Sequence, residues 1–183
     1  MNDNLKQKTI IFSEILNKIP EFKYIGDSIL RTKTKRVSLK EGINIGDRLG
    51  KILVKYRKIA GFGRGLAAPQ IGIDKSVFVS FVDNKLQTYI NPKIIQSSKL
   101  KNVYKELCLS SGFTWADVRR PEWLILEWFD ENGKKQKQKF ESFMARLIQH
   151  EYAHLLGKIN LDEAEKNTIE FAGNPLEEKL REE

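Results

Sequence analysis

The stretch Arg146–Lys158, RLIQHEYAHLLGK, holds the only two histidines of this 183-residue chain, His150 and His154, with Glu151 beside the first. If both imidazoles serve one site, the backbone between them must be helical. Residues i and i+4 sit one above the other on a helix face, whereas in a strand they lie about 13 Å apart. The flanking pattern agrees. Met144, Ile148 and Leu155 fall on one side, Phe143, Leu147, His150 and His154 on an adjoining one, and Gly157 is placed to stop the helix. HExxH on a helix reads as two metal-ligating histidines with a carboxylate general base. The same residues also admit a plainer reading, a core helix whose histidines are held by hydrogen bonds.

A catalytic metal takes three protein ligands and leaves a position open. Downstream carboxylates offer one class of third ligand: Asp162, Glu163, Glu165 and Glu170. The single thiol, Cys108, offers another. Spacing alone leaves both open, because a third ligand can come from anywhere in a fold.

The rest of the chain sets the scaffold. Residues 5–18 and 43–59 carry apolar residues at helical spacing, the second with Ile45, Leu49, Ile52, Leu53 and Tyr56 on one face. GDSILR at 26–31 reads as a short capped turn, and AGFGRGLAAPQIG at 60–72 as a loop with a short extended piece. SVFVSFV and KLQTYIN flank Asp83-Asn84 as a hairpin, KNVYKELCLSS reads as a strand carrying Cys108, and two more strands flank Glu131-Asn132-Gly133. A short helix is expected after Pro175. Strands grouped between helices point to an α+β fold with antiparallel sheets.

Composition narrows the class. Length suits one domain over residues 1–183, and no apolar run reaches the ~18–20 residues of a membrane span. The first residues lack the features of a secretory or mitochondrial leader, so the expected setting is intracellular and not secreted. One cysteine allows no internal disulfide, as in a reducing compartment. Residues 1–60 hold 14 Lys/Arg against 6 acids, while residues 161–183 hold 3 against 8, so a basic body ends in an acidic segment. A basic body suits a polyanionic neighbour such as RNA, or simple solubility.

Two further segments bear on the site. In GRGLAAPQ, Gly63 and Gly65 let a backbone approach a ligand closely and Gln70 supplies an amide donor. In ELCLS, Glu106 to Ser110, Cys108 is central. Together with HEYAH these resemble the three signature motifs of the peptide deformylases, in that family's order and spacing. DVRRPEWL, the DENGK hairpin and FMARLIQHEYAHLLGKINLD extend the resemblance over about residues 20–165.

The resemblance implies antiparallel sheets packed around a central helix that carries both histidines. It implies one divalent ion, natively Fe(II), with zinc, nickel or cobalt able to replace it, on Cys108, His150 and His154. It implies Glu151 as acid/base, and Gln70 with the backbone N–H of Leu109 as oxyanion donors. The implied reaction removes the formyl group from the N-terminal formylmethionine of nascent chains and releases formate. Glu106 and Arg120 resemble a pair that orients a ligand histidine. The peptide is expected to lie along Gly63, Arg64, Gly65 and Leu66, with Phe143 and Leu147 as pocket walls. Ribosome association would use the basic N-terminal half, in the bacterial-type cytoplasm or an organelle matrix, by a protein expected to be monomeric.

Four positions depart from the family's pattern. Leu107 replaces a glycine before the cysteine, Ala153 an aspartate before the second histidine, and Arg64 an aliphatic residue between the motif-one glycines. Ser111-Gly112 stands where an apolar-Pro pair is usual. Leu107 narrows or redirects the cleft, and Arg64 points to acidic or carboxylate-bearing peptides. Two other functions compete: a zinc endopeptidase with a downstream carboxylate ligand, and a deformylase-like protein with altered substrate or with peptide or ribosome binding alone.

Overall fold

The computed structural model describes residues 3–171, which form helices α1 (Asp3–Lys18), α2 (Leu39–Ala60) and α3 (Ser142–Leu155). In chain order the strands are β1 (Gly65–Ala67), β2 (Val77–Val82), β3 (Lys85–Ser97), β4 (Lys101–Leu107), β5 (Thr114–Pro121), β6 (Trp123–Phe129), β7 (Lys135–Glu141) and β8 (Glu170–Phe171). This is the α+β arrangement expected from the sequence.

Local chemistry sets the boundaries. The Ser38 side chain accepts a hydrogen bond from the Glu41 N–H at the start of α2, and Gly61 ends that helix with φ at 79°. Asp27 caps the turn Ser28–Arg31 by accepting from the Ile29 N–H. Asp83 and Asn84, at φ 50° and 57°, form the tight β2–β3 turn. Positive φ at both central residues matches the right-handed twist of the strands. Gly42, Gly46 and Gly50 form a stripe along α2. Side chains there would run into Ile90, Thr88 and Leu86, so the stripe is what lets α2 lie close on β3.

The strands form two antiparallel sheets, ordered β1-β2-β3-β6-β7 and β4-β5-β8. Helix α3 packs on β1, β2, β6 and β7 of the larger sheet and on β5 of the smaller, so it lies between them. One core cluster joins Ile15, Leu49, Leu53, Leu66 and Val79 under α1 and α2. The other joins Phe78, Tyr89, Leu126, Trp128 and Ile148 under α3, with Phe78 and Tyr89 stacked at 4.4 Å.

Several expectations change. Cys108 lies one residue beyond β4 and caps the short 3-10 turn Leu109–Ser111. Strand β5 is additional to those expected. Strand β3 runs on past Asn91, where φ is 50°, with register shifts that bend it. The helix expected after Pro175 lies outside the described residues. No described helix is long and apolar enough to cross a membrane.

Candidate metal centre

Helix α3 delivers His150 and His154, and the end of β4 delivers Cys108 from the facing sheet. One donor atom from each lies within 4.8 Å of the others. Cys108 Sγ is 3.2 Å from His154 Nε2, and the thiol is fully buried. A tetrahedral ion with ~2.3 Å bonds to sulfur and ~2.1 Å bonds to nitrogen holds its ligands about 3.5 Å apart, so the donor set fits one. Burial alone would push the Cys108 thiol up, but His154 and His150 beside it outweigh burial and hold it at about 5. At neutral pH the sulfur is therefore anionic, the form that binds metals.

His150 is oriented from behind. Its Nδ1 pairs with Glu106 Oε2 at 2.9 Å, which leaves Nε2 to face the thiol. Burial opposes a charge on His150, yet Cys108 and Glu106 raise its pKa well above the usual histidine value. Glu106 is itself gripped by two arginines. Arg120 donates from Nε and Nη2 at 2.6 and 2.8 Å, and Arg146 from Nη1 at 2.6 Å. Burial pushes Glu106 up, but Arg120 and His150 prevail and hold it far below the usual carboxylate range. Glu106 and Arg120 are both buried, which sets this pair apart from an ordinary surface ion pair.

Glu151 lies within the same cluster and is 3% exposed. Burial raises its pKa to about 7, against the pull of His150 and His154. Its Oε2 has no hydrogen-bond partner among the described residues, nor has His154 Nδ1. Buried polar atoms are normally paired, so Glu151 Oε2 marks a place for a water or a substrate group. A Cβ on Gly65 would lie 2.2 Å from Glu151 Oε1, so only glycine fits there. Gly63, at φ 116°, is packed against Tyr56.

Gln70 is buried at the other side. Its Oε1 accepts from the Ala67 N–H at 2.8 Å, which turns its amide nitrogen toward Cys108 Sγ at 3.7 Å and Ser110 Oγ at 3.3 Å. Leu109 opens the 3-10 turn, so its N–H has no partner within that turn. The Leu66 side chain is in the core and only its backbone can face a ligand. Leu107 is half-buried and Leu147 is buried. Phe143 stands at the surface, 47% exposed, beneath the Arg64 guanidinium.

The downstream carboxylates are engaged elsewhere, which corrects the peptidase alternative. Asp162 pairs with Arg31, Glu163 with Arg120 and Lys158, Glu165 with Arg119, and Glu170 with Lys105. Sequence reading missed Arg146, although it stands one turn before His150 on the same helix face. It also missed Asn160, whose amide donates to the Glu106 carbonyl at 3.0 Å. Nothing local to Asn160 signals that contact.

Comparison with known proteins agrees with this geometry. The family model for polypeptide deformylase matches residues 19–170. A peptide deformylase of Borreliella burgdorferi is 38% identical over 148 residues, covering 78% of this chain and 86% of that one. One from Pseudothermotoga lettingae is 36% identical, covering 79% and 82%. Among solved structures, the peptide deformylase of Synechococcus elongatus in complex with actinonin matches with a TM-score of 0.69 at 36% identity, covering 80% of this chain and 79% of that one. That of Thermotoga maritima matches with a TM-score of 0.71 at 29% identity, covering 79% and 96%. By its matched length and by these relatives, the chain belongs to the polypeptide deformylase family.

Proposed function

We propose that the protein is a metal-dependent amide hydrolase that removes the formyl group from N-terminal formylmethionine and releases formate. The observation that carries this is the convergence of one thiolate and two imidazoles beside a buried carboxylate, in a chain of this family. In this reading Cys108, His150 and His154 hold one divalent ion, with Fe(II) as the native metal on the strength of the family resemblance. Zinc, nickel or cobalt accept the same sulfur and nitrogen donors. Such an ion supplies Lewis acidity, polarising a carbonyl oxygen and acidifying a water molecule.

The chain's own residues do the rest. Glu106, locked by Arg120 and Arg146, keeps His150 turned toward the thiol. Glu151 takes the proton from the attacking water as oxygen bonds to the formyl carbon. It then gives that proton to the departing nitrogen as the C–N bond breaks, leaving formate and a free amine. A carboxyl poised at about 7 can both accept and donate near neutral pH. Gln70 Nε2 and the Leu109 N–H are the donors for the oxyanion that develops on the formyl oxygen.

The peptide takes the edge of β1 that no strand pairs with. The Arg64 carbonyl accepts from the Phe81 N–H at 2.8 Å, so Arg64 and Phe81 form a hydrogen-bonded pair. Antiparallel pairs alternate, so Gly65, opposite Ser80, points its N–H and C=O away from β2. An extended peptide can pair there through its main chain, whatever its side chains. Leu147 lies on the ligand face of α3 as a wall for the first side chain.

Formylated chains arise where such initiation occurs, so we assign the protein to a bacterial-type cytoplasm or an organelle matrix, as a monomer. Contact with the ribosome through the basic residues of 1–60 belongs to the same proposal. Salt-sensitive co-sedimentation with ribosomes checks it.

Formate release from formyl-Met-Ala-Ser by metal-loaded protein tests the reaction. Cys108→Ser should lower metal stoichiometry and abolish release. A folded, metal-loaded protein that yields no formate would leave peptide binding as the function.

A further inference from the structure

The turn Leu109–Ser111 is closed by Gly112 at φ 64°. Glycine takes that conformation freely, and proline, locked at about −65°, cannot reach it. Ser111-Gly112 in place of an apolar-Pro pair is therefore a change of backbone path. Helix α1 precedes the span shared with the family, which begins at residue 19. These two features meet. The Phe12 ring of α1 lies over Gly112, 3.7 Å from where a Cβ would stand, and its centroid is 4.9 Å from that of Phe113. It also meets Tyr24 edge-on at 5.3 Å.

The N-terminal segment grips the turn at several points. Ile15 and Ile19 hold α1 in the core, and Ile11 and Leu109 pack against that same cluster. The Ile25 N–H donates to the Ser110 carbonyl at 3.1 Å. Leu109 is thus held by its side chain at one end of the turn, and Gly112 and Phe113 by Phe12 at the other. The Gln70 amide is anchored separately, through the Ala67 N–H and Ser110 Oγ. Two donors serve one oxyanion only if both are aimed at the place where it develops, so the path of the turn sets the aim of the Leu109 N–H.

On the deformylase reading, we infer that Phe12 is a positioning residue, which holds the turn Leu109–Ser111 so that the Leu109 N–H converges with the Gln70 amide on the developing oxyanion. Its effect reaches the reaction through the turn.

The test compares Phe12→Ala, Phe12→Leu and Ile10→Ala with the wild type, each loaded with Co(II) and measured well below its Tm. An oxyanion donor acts in the transition state, so Phe12→Ala should lower kcat for formate release from formyl-Met-Ala-Ser about tenfold and keep KM within about twofold, short of the roughly 10²- to 10³-fold loss for deleting a donor outright. Phe12→Leu refills most of the volume and should fall between, about threefold below the wild type. Ile10→Ala, on the exposed face of the same helix, should match the wild type. Cobalt stoichiometry and the thiolate-to-cobalt absorption band should stay unchanged in all, because Cys108 follows directly from β4. A wild-type kcat in Phe12→Ala, or a loss that tracks lost cobalt, would overturn the assignment and leave the hydrolase reading standing. If Phe12→Ala does not fold, Phe12→Leu decides, and a wild-type kcat there overturns it. No formate from the wild type would overturn the hydrolase reading itself, and this assignment with it.

Discussion

Gly65 and Glu151 occupy adjoining space. A methyl group at 65 meets the carboxylate head-on, 2.2 Å from Oε1. Gly65→Ala should therefore displace Glu151, and a misplacement near 1 Å costs roughly 100-fold in rate. Formate kinetics alongside metal analysis checks this, with metal content expected to stay unchanged. Glu151→Gln removes the proposed proton carrier and keeps the shape. It should lower kcat by about 10²- to 10⁴-fold with metal retained, read by the same pair of measurements. Undiminished kcat in the Glu151→Gln variant would remove Glu151 from the mechanism.

At the level of elements, the β6–β7 turn is organised by Asp130. Its Oδ1 accepts from the N–H groups of Asn132 and Lys134 at 2.9 Å each, and its Oδ2 from the Gln136 amide at 2.7 Å. Burial pushes its pKa up, but the Lys134, Gln136 and Asn132 hydrogen bonds outweigh burial and hold it below the usual aspartate value. A depressed carboxylate stabilises the fold fully above its unfolded pKa of ~3.9 and loses that contribution as pH falls through the folded value. Asp130→Asn should cost about 1 kcal/mol at pH 7, and the difference from wild type should narrow at pH 3. Urea unfolding at both pH values measures it.

Helix α3, the β2–β3 hairpin and α2 were legible because their apolar residues keep one period and end at Gly, Asn or Asp. Strand β5 was not, because Arg120 is buried by its ion pair with Glu106 and so reads as a surface residue in the alternation. The continuation of β3 was hidden by Asn91 and Pro92, which signal a turn while the strand bends through them. In the site, the chemistry-bearing residues stood out by type and motif. Their supports did not: Arg146 and Asn160 reach Glu106 from 40 and 54 residues away, a pairing that only the packed sheets create.

For the whole molecule, the proposed ligands come from both sides of its main joint, with Cys108 beside the smaller sheet and the histidines on α3. A bound ion would tie those parts together and stabilise the native state alone. Metal at 100 times its Kd should add about 2.7 kcal/mol, raising Tm by roughly 5–10 °C for a chain of this size. Thermal melts with and without a chelator check it; identical melts would mean that the native fold gains nothing from the ion. The unpaired edge of β1 carries a separate consequence. Unpaired strand edges invite sheet-to-sheet aggregation, and short length is one natural defence. This edge is three residues long and passes at once into a 3-10 turn with Pro69 near its start. Another copy of the protein finds too little ladder to zip onto, and all three β1 residues are buried, so the edge proposed for peptides is blunted against self-templated assembly.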